Sequence, residues 1–129
     1  MAGAKDSLRT PLGKVRGLGA AKRGTDHFIA QRVTAIALVP LALWFLWAVA
    51  AYGSADYPAA VAFLSHPINA ALLGLFALTG IYHFVLGLQV VIEDYITGEG
   101  LKIACLLLNT FAGVVLGVAV LIAILKLAL

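Results

Sequence analysis

Asn69-Ala-Ala-Leu-Leu-Gly-Leu-Phe-Ala-Leu-Thr79-Gly80-Ile-Tyr-His83-Phe-Val-Leu-Gly87-Leu-Gln-Val-Val-Ile92 runs for 24 residues without an aspartate, glutamate, lysine or arginine. A helix of about 20 apolar residues crosses the ~30 Å hydrocarbon core of a bilayer, so this run is long enough to span one. Two further stretches match it: Val33–Ala51, reaching back helically to about Asp26, and Ile103–Leu125, bounded by Lys102 and Lys126. In lipid every backbone polar group must be satisfied within its own element, which makes these runs helices and not strands. One apolar run is compatible with a buried helix of a soluble domain; three in 129 residues are not.

Composition agrees. Of the residues 63% are hydrophobic and 12% charged, against about half and a quarter in soluble domains, and the mean hydropathy is +1.04. The length allows one domain. A single cysteine, Cys105, excludes a disulfide framework and a cysteine-built zinc site. The net charge of +3 is unevenly placed, with seven of the nine Lys and Arg residues in the first 32 positions. That excess marks one polar end of a membrane protein and not a nucleic-acid surface.

The expected architecture is all-α, with three transmembrane helices at about 26-52, 68-95 and 102-127, forming an anchor over 25-129 behind a basic tail, 1-24. The tail holds six basic residues, five glycines and one acid and has no helical periodicity. Ala48-Val-Ala50 formally fits a signal-peptidase site, but the apolar run before it is too long and contains Pro40, so the first helix is kept. A mitochondrial presequence fits poorly, because the tail has little serine and no amphipathic face. The loop Tyr52–Pro67 carries no Lys or Arg, so the positive-inside rule puts the N-terminus in the cytoplasm (or the matrix of a mitochondrion), this loop outside and the C-terminus outside. Asp56-Tyr57-Pro58 and Ser65-His66-Pro67 each read as a cap residue before a proline in a first helical turn, with a short interfacial helix over Ala59–Leu64. Trp44, Trp47, Tyr52 and Tyr57 fit the outer aromatic belt. Pro40 is expected to kink the first helix, and Gly113-Val-Val-Leu-Gly117 to let two helices approach closely.

His83 carries the chemistry. An ionisable side chain deep in hydrocarbon is costly and marks function by default, although an imidazole bonded to a neighbouring helix is an equal reading. Gly80 and Gly87 lie three before it and four after, on the same face. They leave a flat recess of the kind a porphyrin needs beside an imidazole ligand. Asp94, eleven residues on, returns to within about 20° of His83 and lies ~16 Å nearer the cytoplasm, with Tyr95 at the headgroup boundary. An acid and a phenol there suit a quinone headgroup; they also suit an ordinary polar helix end. Arg32, about one turn into the first helix, either snorkels to lipid phosphates or pairs with a heme propionate or the Asp94 region. His27 and His66 read as interface residues, Asn109 and Thr79 as interhelical hydrogen bonds, and Cys105 as small core filling. No nucleophile–base pair, phosphate loop or paired carboxylates appear, so the chain alone does not read as an enzyme. A bis-histidine heme needs two imidazoles at similar depth. Only His83 is deep, so the second must come from another polypeptide.

Two motifs now stand out: Gly24-Thr-Asp-His27-Phe28-Ile-Ala-Gln31-Arg32-Val-Thr34-Ala35, and His83-Phe-Val-Leu-Gly87-Leu-Gln89-Val-Val-Ile-Glu-Asp94-Tyr95. With the three-pass layout, the chain resembles the small hydrophobic membrane-anchor subunits of succinate dehydrogenase, the cytochrome b small subunits of respiratory complex II. The resemblance implies that His83 is an axial ligand of heme b shared with a larger cytochrome b anchor subunit, and that Arg32 lies near the heme propionates. It implies that Tyr95 contacts ubiquinone with Asp94 in the proton path. It also implies that the chain holds the flavoprotein and iron–sulfur subunits on a bacterial inner membrane, where electrons from succinate reach quinone. A fumarate reductase anchor and a heme-free three-pass scaffold are the competing expectations.

Overall fold

The structure is a computed structural model that describes residues 24–129 together with Thr10 and Leu12. Apart from those two positions and Gly24, the basic tail 1-24 lies outside the described residues. Three helices are long and apolar enough to cross a membrane: α1, Gly24–Tyr52; α3, Pro67–Tyr95; and α4, Glu99–Ala128. A short helix, α2, Tyr57–Ser65, joins α1 to α3. Among the described residues there is no strand. At 1.5 Å per residue the 29 residues of α1 or α3 extend about 43 Å, so both ends reach beyond the hydrocarbon. α1 is continuous through Pro40, whose missing N–H leaves the Ile36 carbonyl without its usual helical donor.

The three long helices lie side by side, with α3 in the middle. α1 and α4 both pack on α3, and among the described residues they do not contact each other. On the α1 side, Phe45 stacks on Phe76 with ring centroids 4.7 Å apart, an arrangement worth about 0.5–1.5 kcal/mol. On the α4 side, the Gly113/Gly117 pair faces α3: a Cβ added at 113 would lie 2.5 Å from Val85 Cγ2, and one at 117 would lie 3.8 Å from Leu78 Cδ2. The close approach at Gly113 therefore requires glycine. Beside it, Asn109 Nδ2 donates to the Val85 carbonyl at 2.9 Å. Such packing and polar contacts hold helices together where lipid gives no hydrophobic drive between them. Only Ala48, Ala70, Leu86, Ile92 and Asn109 are buried among the described residues. The long helices present their remaining apolar surface outward, as spans of a bilayer do.

At the end of the bundle that carries α2, Asp56 Oδ1 accepts the Ala59 N–H at 3.1 Å and opens that helix, a cap worth about 1 kcal/mol. Tyr52 stacks on Phe63 at 3.9 Å with Trp47 edge-on at 6.0 Å, and Asn69 Nδ2 donates to the Phe63 carbonyl at 2.8 Å. Ser65 does not open α3 as its sequence suggests. Its hydroxyl donates back to the Ala62 carbonyl, and the cap position falls to His66, which makes no side-chain capping bond. At the other end, three residues, Ile96 to Gly98, join α3 to α4. There Lys102 Nζ donates to the Glu93 carbonyl at 3.0 Å, satisfying one of the orphan carbonyls of the last α3 turn with a favourable charge.

Candidate functional site

His83 lies two residues past the midpoint of α3, taken as residue 81 of 67–95. It is half-buried, and its Nδ1 is 2.9 Å from Thr34 Oγ1 on α1. The hydroxyl of Thr34 also lies 2.8 Å from the Ala30 carbonyl and 3.1 Å from that of Gln31. A hydroxyl has one proton, and a carbonyl can only accept, so a Thr34 that bonds the α1 backbone has only its lone pairs to offer His83. In that arrangement Thr34 Oγ1 accepts from a His83 protonated on Nδ1, and the lone pair is left on Nε2. Among the described residues Nε2 has no hydrogen-bond partner. A ring held at Nδ1–H with a free Nε2 is the state in which histidine ligates a metal.

The contacts around His83 fix the register of the two helices. Thr34 faces His83, a Cβ at Gly87 would lie 3.7 Å from Gln31 Nε2, and a Cβ at Gly80 would lie 3.9 Å from Leu38 Cδ2. Gly80 and Gly87 thus each have one α1 side chain in ordinary contact range, and Gly80 also borders the space between α3 and α4. Both face α1, and Leu38 and Gln31 stand opposite them, because the face that carries His83 is also the face on which α1 packs. What stays open at His83 is Nε2.

By this register Arg32 is level with about residue 86, roughly 4.5 Å from the level of His83. It is exposed, with its guanidinium 5.1 Å from the Phe28 ring centroid, a cation–π contact. Asp94 stands eight residues beyond that level, about 12 Å along the axis, so the structure does not bring Arg32 to Asp94. Asp94 and Tyr95 form the last turn of α3, and both are exposed, Tyr95 at 81%. Asp94 keeps the His83 line. Tyr95, twelve residues after His83, is rotated about 120° from it and falls on the line of Ala77, Phe84 and Leu88. The acid and the phenol therefore share a level but not a face.

Two features escape sequence reasoning. Thr34 is 49 residues from His83, and nothing in either local pattern pairs them. His27, seven residues before Thr34 and hence on the same face of α1, has its Nε2 buried without a hydrogen-bond partner among the described residues. Asn109 does make an interhelical bond, whereas Thr79 makes no side-chain hydrogen bond among the described residues. Cys105 is a half-buried free thiol on α4. No group of three or more His, Cys, Asp and Glu that could hold a metal by itself occurs among the described residues.

A polar-ended assembly of three apolar spans, with one uncommitted imidazole nitrogen at mid-depth, defines a multi-pass membrane protein of the anchor class. Its sequence places it further. Residues 6–126 match the family model of the succinate dehydrogenase/fumarate reductase transmembrane subunit, and the chain belongs to that family. It is 40% identical over 95 residues to the succinate dehydrogenase hydrophobic membrane anchor subunit of Rickettsia bellii, covering 74% of this chain and 76% of that one. It is 33% identical over 111 residues to the subunit of the same description from Paracoccus denitrificans, covering 86% of each chain. The succinate dehydrogenase membrane anchor subunit of Reclinomonas americana is 36% identical over 90 residues, 67% of this chain and 75% of that one.

Proposed function

We propose that this chain is the small anchor subunit of a succinate dehydrogenase that passes electrons from succinate to ubiquinone, and that it contributes His83 to a heme b. The observation that carries the heme reading is the imidazole: Nδ1 held 2.9 Å from Thr34 Oγ1, Nε2 without a partner among the described residues, two residues from the centre of a membrane span. Heme b, when bound, supplies a one-electron store. Thr34 orients the ring and fixes its tautomer, and Arg32, level with the next inner turn, offers a bidentate guanidinium to a propionate. The remaining histidines of the described residues, His27 and His66, lie at helix ends, so the second axial ligand comes from a larger cytochrome b anchor subunit.

At the inner end of α3, Tyr95 donates its phenolic proton in a hydrogen bond to a quinone carbonyl oxygen, and Asp94 passes protons toward the reduced ring. Both are exposed on this chain, which leaves the site to be walled by partner subunits, the iron–sulfur protein among them. The flavoprotein, where succinate is oxidised, is reached through that iron–sulfur subunit. The basic residues before α1 and their lack in the outer loop favour a cytoplasmic N-terminus, an outer C-terminus and a bacterial inner membrane. The family model spans both succinate dehydrogenases and fumarate reductases, and the named relatives favour the first.

The test is purification of the tagged chain from its membrane in mild detergent. A flavoprotein, an iron–sulfur subunit and a larger anchor should copurify with a b-type absorption band. Recovery with those subunits but without heme would remove the heme reading, and recovery without them would remove the functional one.

A further inference from the structure

The described residues enclose a groove of ≈840 Å³ between α3 and α4. Its walls include Ala77, Phe84 and Leu88 on α3 and Leu108, Ala112 and Leu116 on α4. It runs from Ile92 and Cys105 to Phe76 and Val120, sixteen residues of α3 or about 24 Å. Phe84 and Leu108 stand open along it, at 64% and 69% exposure. Its one amide side chain, Asn109, is turned onto the Val85 carbonyl, so the walls offer an apolar guest hydrocarbon contact along their length. The groove lies along the Tyr95 line of α3. Leu88, Phe84 and Ala77 are seven, eleven and eighteen residues before Tyr95, all within about 20° of it. Tyr95 is three residues, roughly 4.5 Å, beyond Ile92 and stands at the inner mouth.

We infer that this groove holds the polyisoprenoid tail of the quinone whose headgroup meets Tyr95. The inference rests on the quinone reading of Tyr95 given above and adds the part of the substrate that the headgroup site leaves unplaced. Three features select this occupant. The groove starts beneath the phenol that would hold the headgroup. Its length of about 24 Å exceeds half of the ~30 Å hydrocarbon core, so a lipid acyl chain entering from the inner leaflet would fill only part of it. Its walls are apolar along that length, because Asn109, the one amide among them, is turned onto the Val85 carbonyl. A prenyl unit adds four carbon–carbon bonds of about 1.5 Å, or about 5 Å of extended chain, so the groove takes roughly five units.

The test uses the whole complex in lipid nanodiscs and a ubiquinone analogue with a five-prenyl tail and a diazirine at the tail's far end. Irradiation should place the label on peptides that contain Phe76 or Val120, and excess unmodified long-tail ubiquinone should displace it. Ala112→Phe, at an exposed groove position, narrows the channel. It should raise the KM for five-prenyl ubiquinone relative to the one-prenyl form by about fourfold or more, the factor for displacing one methylene equivalent. Label that lies elsewhere, or a KM ratio unchanged by Ala112→Phe, would overturn the tail site. Groove labelling by a diazirine phospholipid that long-tail quinone fails to displace would do the same and assign the groove to lipid. Failure of the Tyr95 reading has its own signature: wild-type turnover of the one-prenyl quinone in Tyr95→Phe.

Discussion

Thr34→Val removes one hydroxyl and keeps the shape of the side chain, so it isolates the bond that fixes His83. In the structure Thr34 Oγ1 is the partner of His83 Nδ1, at 2.9 Å. Without it the Nδ1–H of a half-buried ring deep in a span has no acceptor, at a cost of about 1–3 kcal/mol, or roughly 5- to 150-fold in an equilibrium that needs this ring state. Loss of an outer partner of a metal-bound histidine typically costs about 10–100-fold in affinity, within the same range. The assay is heme retention by the purified complex: the b-type band is followed through detergent washing and then on titration of stripped complex with heme. Thr34→Val should hold heme about 10–100-fold more weakly. Thr34→Ser, which keeps the oxygen, should return toward wild type. The helix pair should survive both changes, because the Phe45–Phe76 stack is untouched. Wild-type heme affinity and spectrum in Thr34→Val would refute the argument that this hydroxyl sets the imidazole.

Other consequences are as specific. Tyr95→Phe should lower succinate-driven quinone reduction by about two- to tenfold, the worth of one neutral hydrogen bond, while heme content and succinate oxidation with a flavin-level acceptor persist; Asp94→Asn should show the same split. Gly113→Ala forces a Cβ to 2.5 Å from Val85 Cγ2 and should destabilise the anchor by about 1–3 kcal/mol, seen as earlier thermal loss of assembled complex; adding Val85→Ala should recover most of it. Asn109→Leu breaks the bond to the Val85 carbonyl and should cost about 0.6 kcal/mol in the same assay. A cysteine placed at Ala4 should resist a membrane-impermeant thiol reagent in intact cells and one at Ser54 should react, as the charge asymmetry requires.

The spans are legible in the sequence because a bilayer imposes length and apolarity on each of them separately; the uncharged run Asn69–Ile92 needs no partner to be read as a span. Asp56 as a helix cap and Gly113/Gly117 as a contact are local in the same sense, set by a residue and its near neighbours. The register between helices is not local. His83 pairs with Thr34 across 49 residues, and the 100° step along α3 says which face His83 occupies without saying what packs there. For that reason Gly80 and Gly87 read as a recess without named walls, and the structure supplies them: Leu38 and Gln31 on α1. The same step, carried one residue past Asp94, separates Tyr95 from the His83 line and places it over the α3–α4 groove. The groove itself needs two helices in register to exist, so neither helix sequence announces it.

Ligation of heme iron by His83 Nε2 has its sharpest test in the reduced-minus-oxidised spectrum of the complex carrying His83→Tyr. Phenolate is a different axial ligand with a different spectrum, and a tyrosine leaves the span intact. A lost or shifted b-type band is expected in a complex that still assembles with its catalytic subunits. An assembled His83→Tyr complex with the wild-type band would contradict it and leave His83 as a packing residue bonded to Thr34.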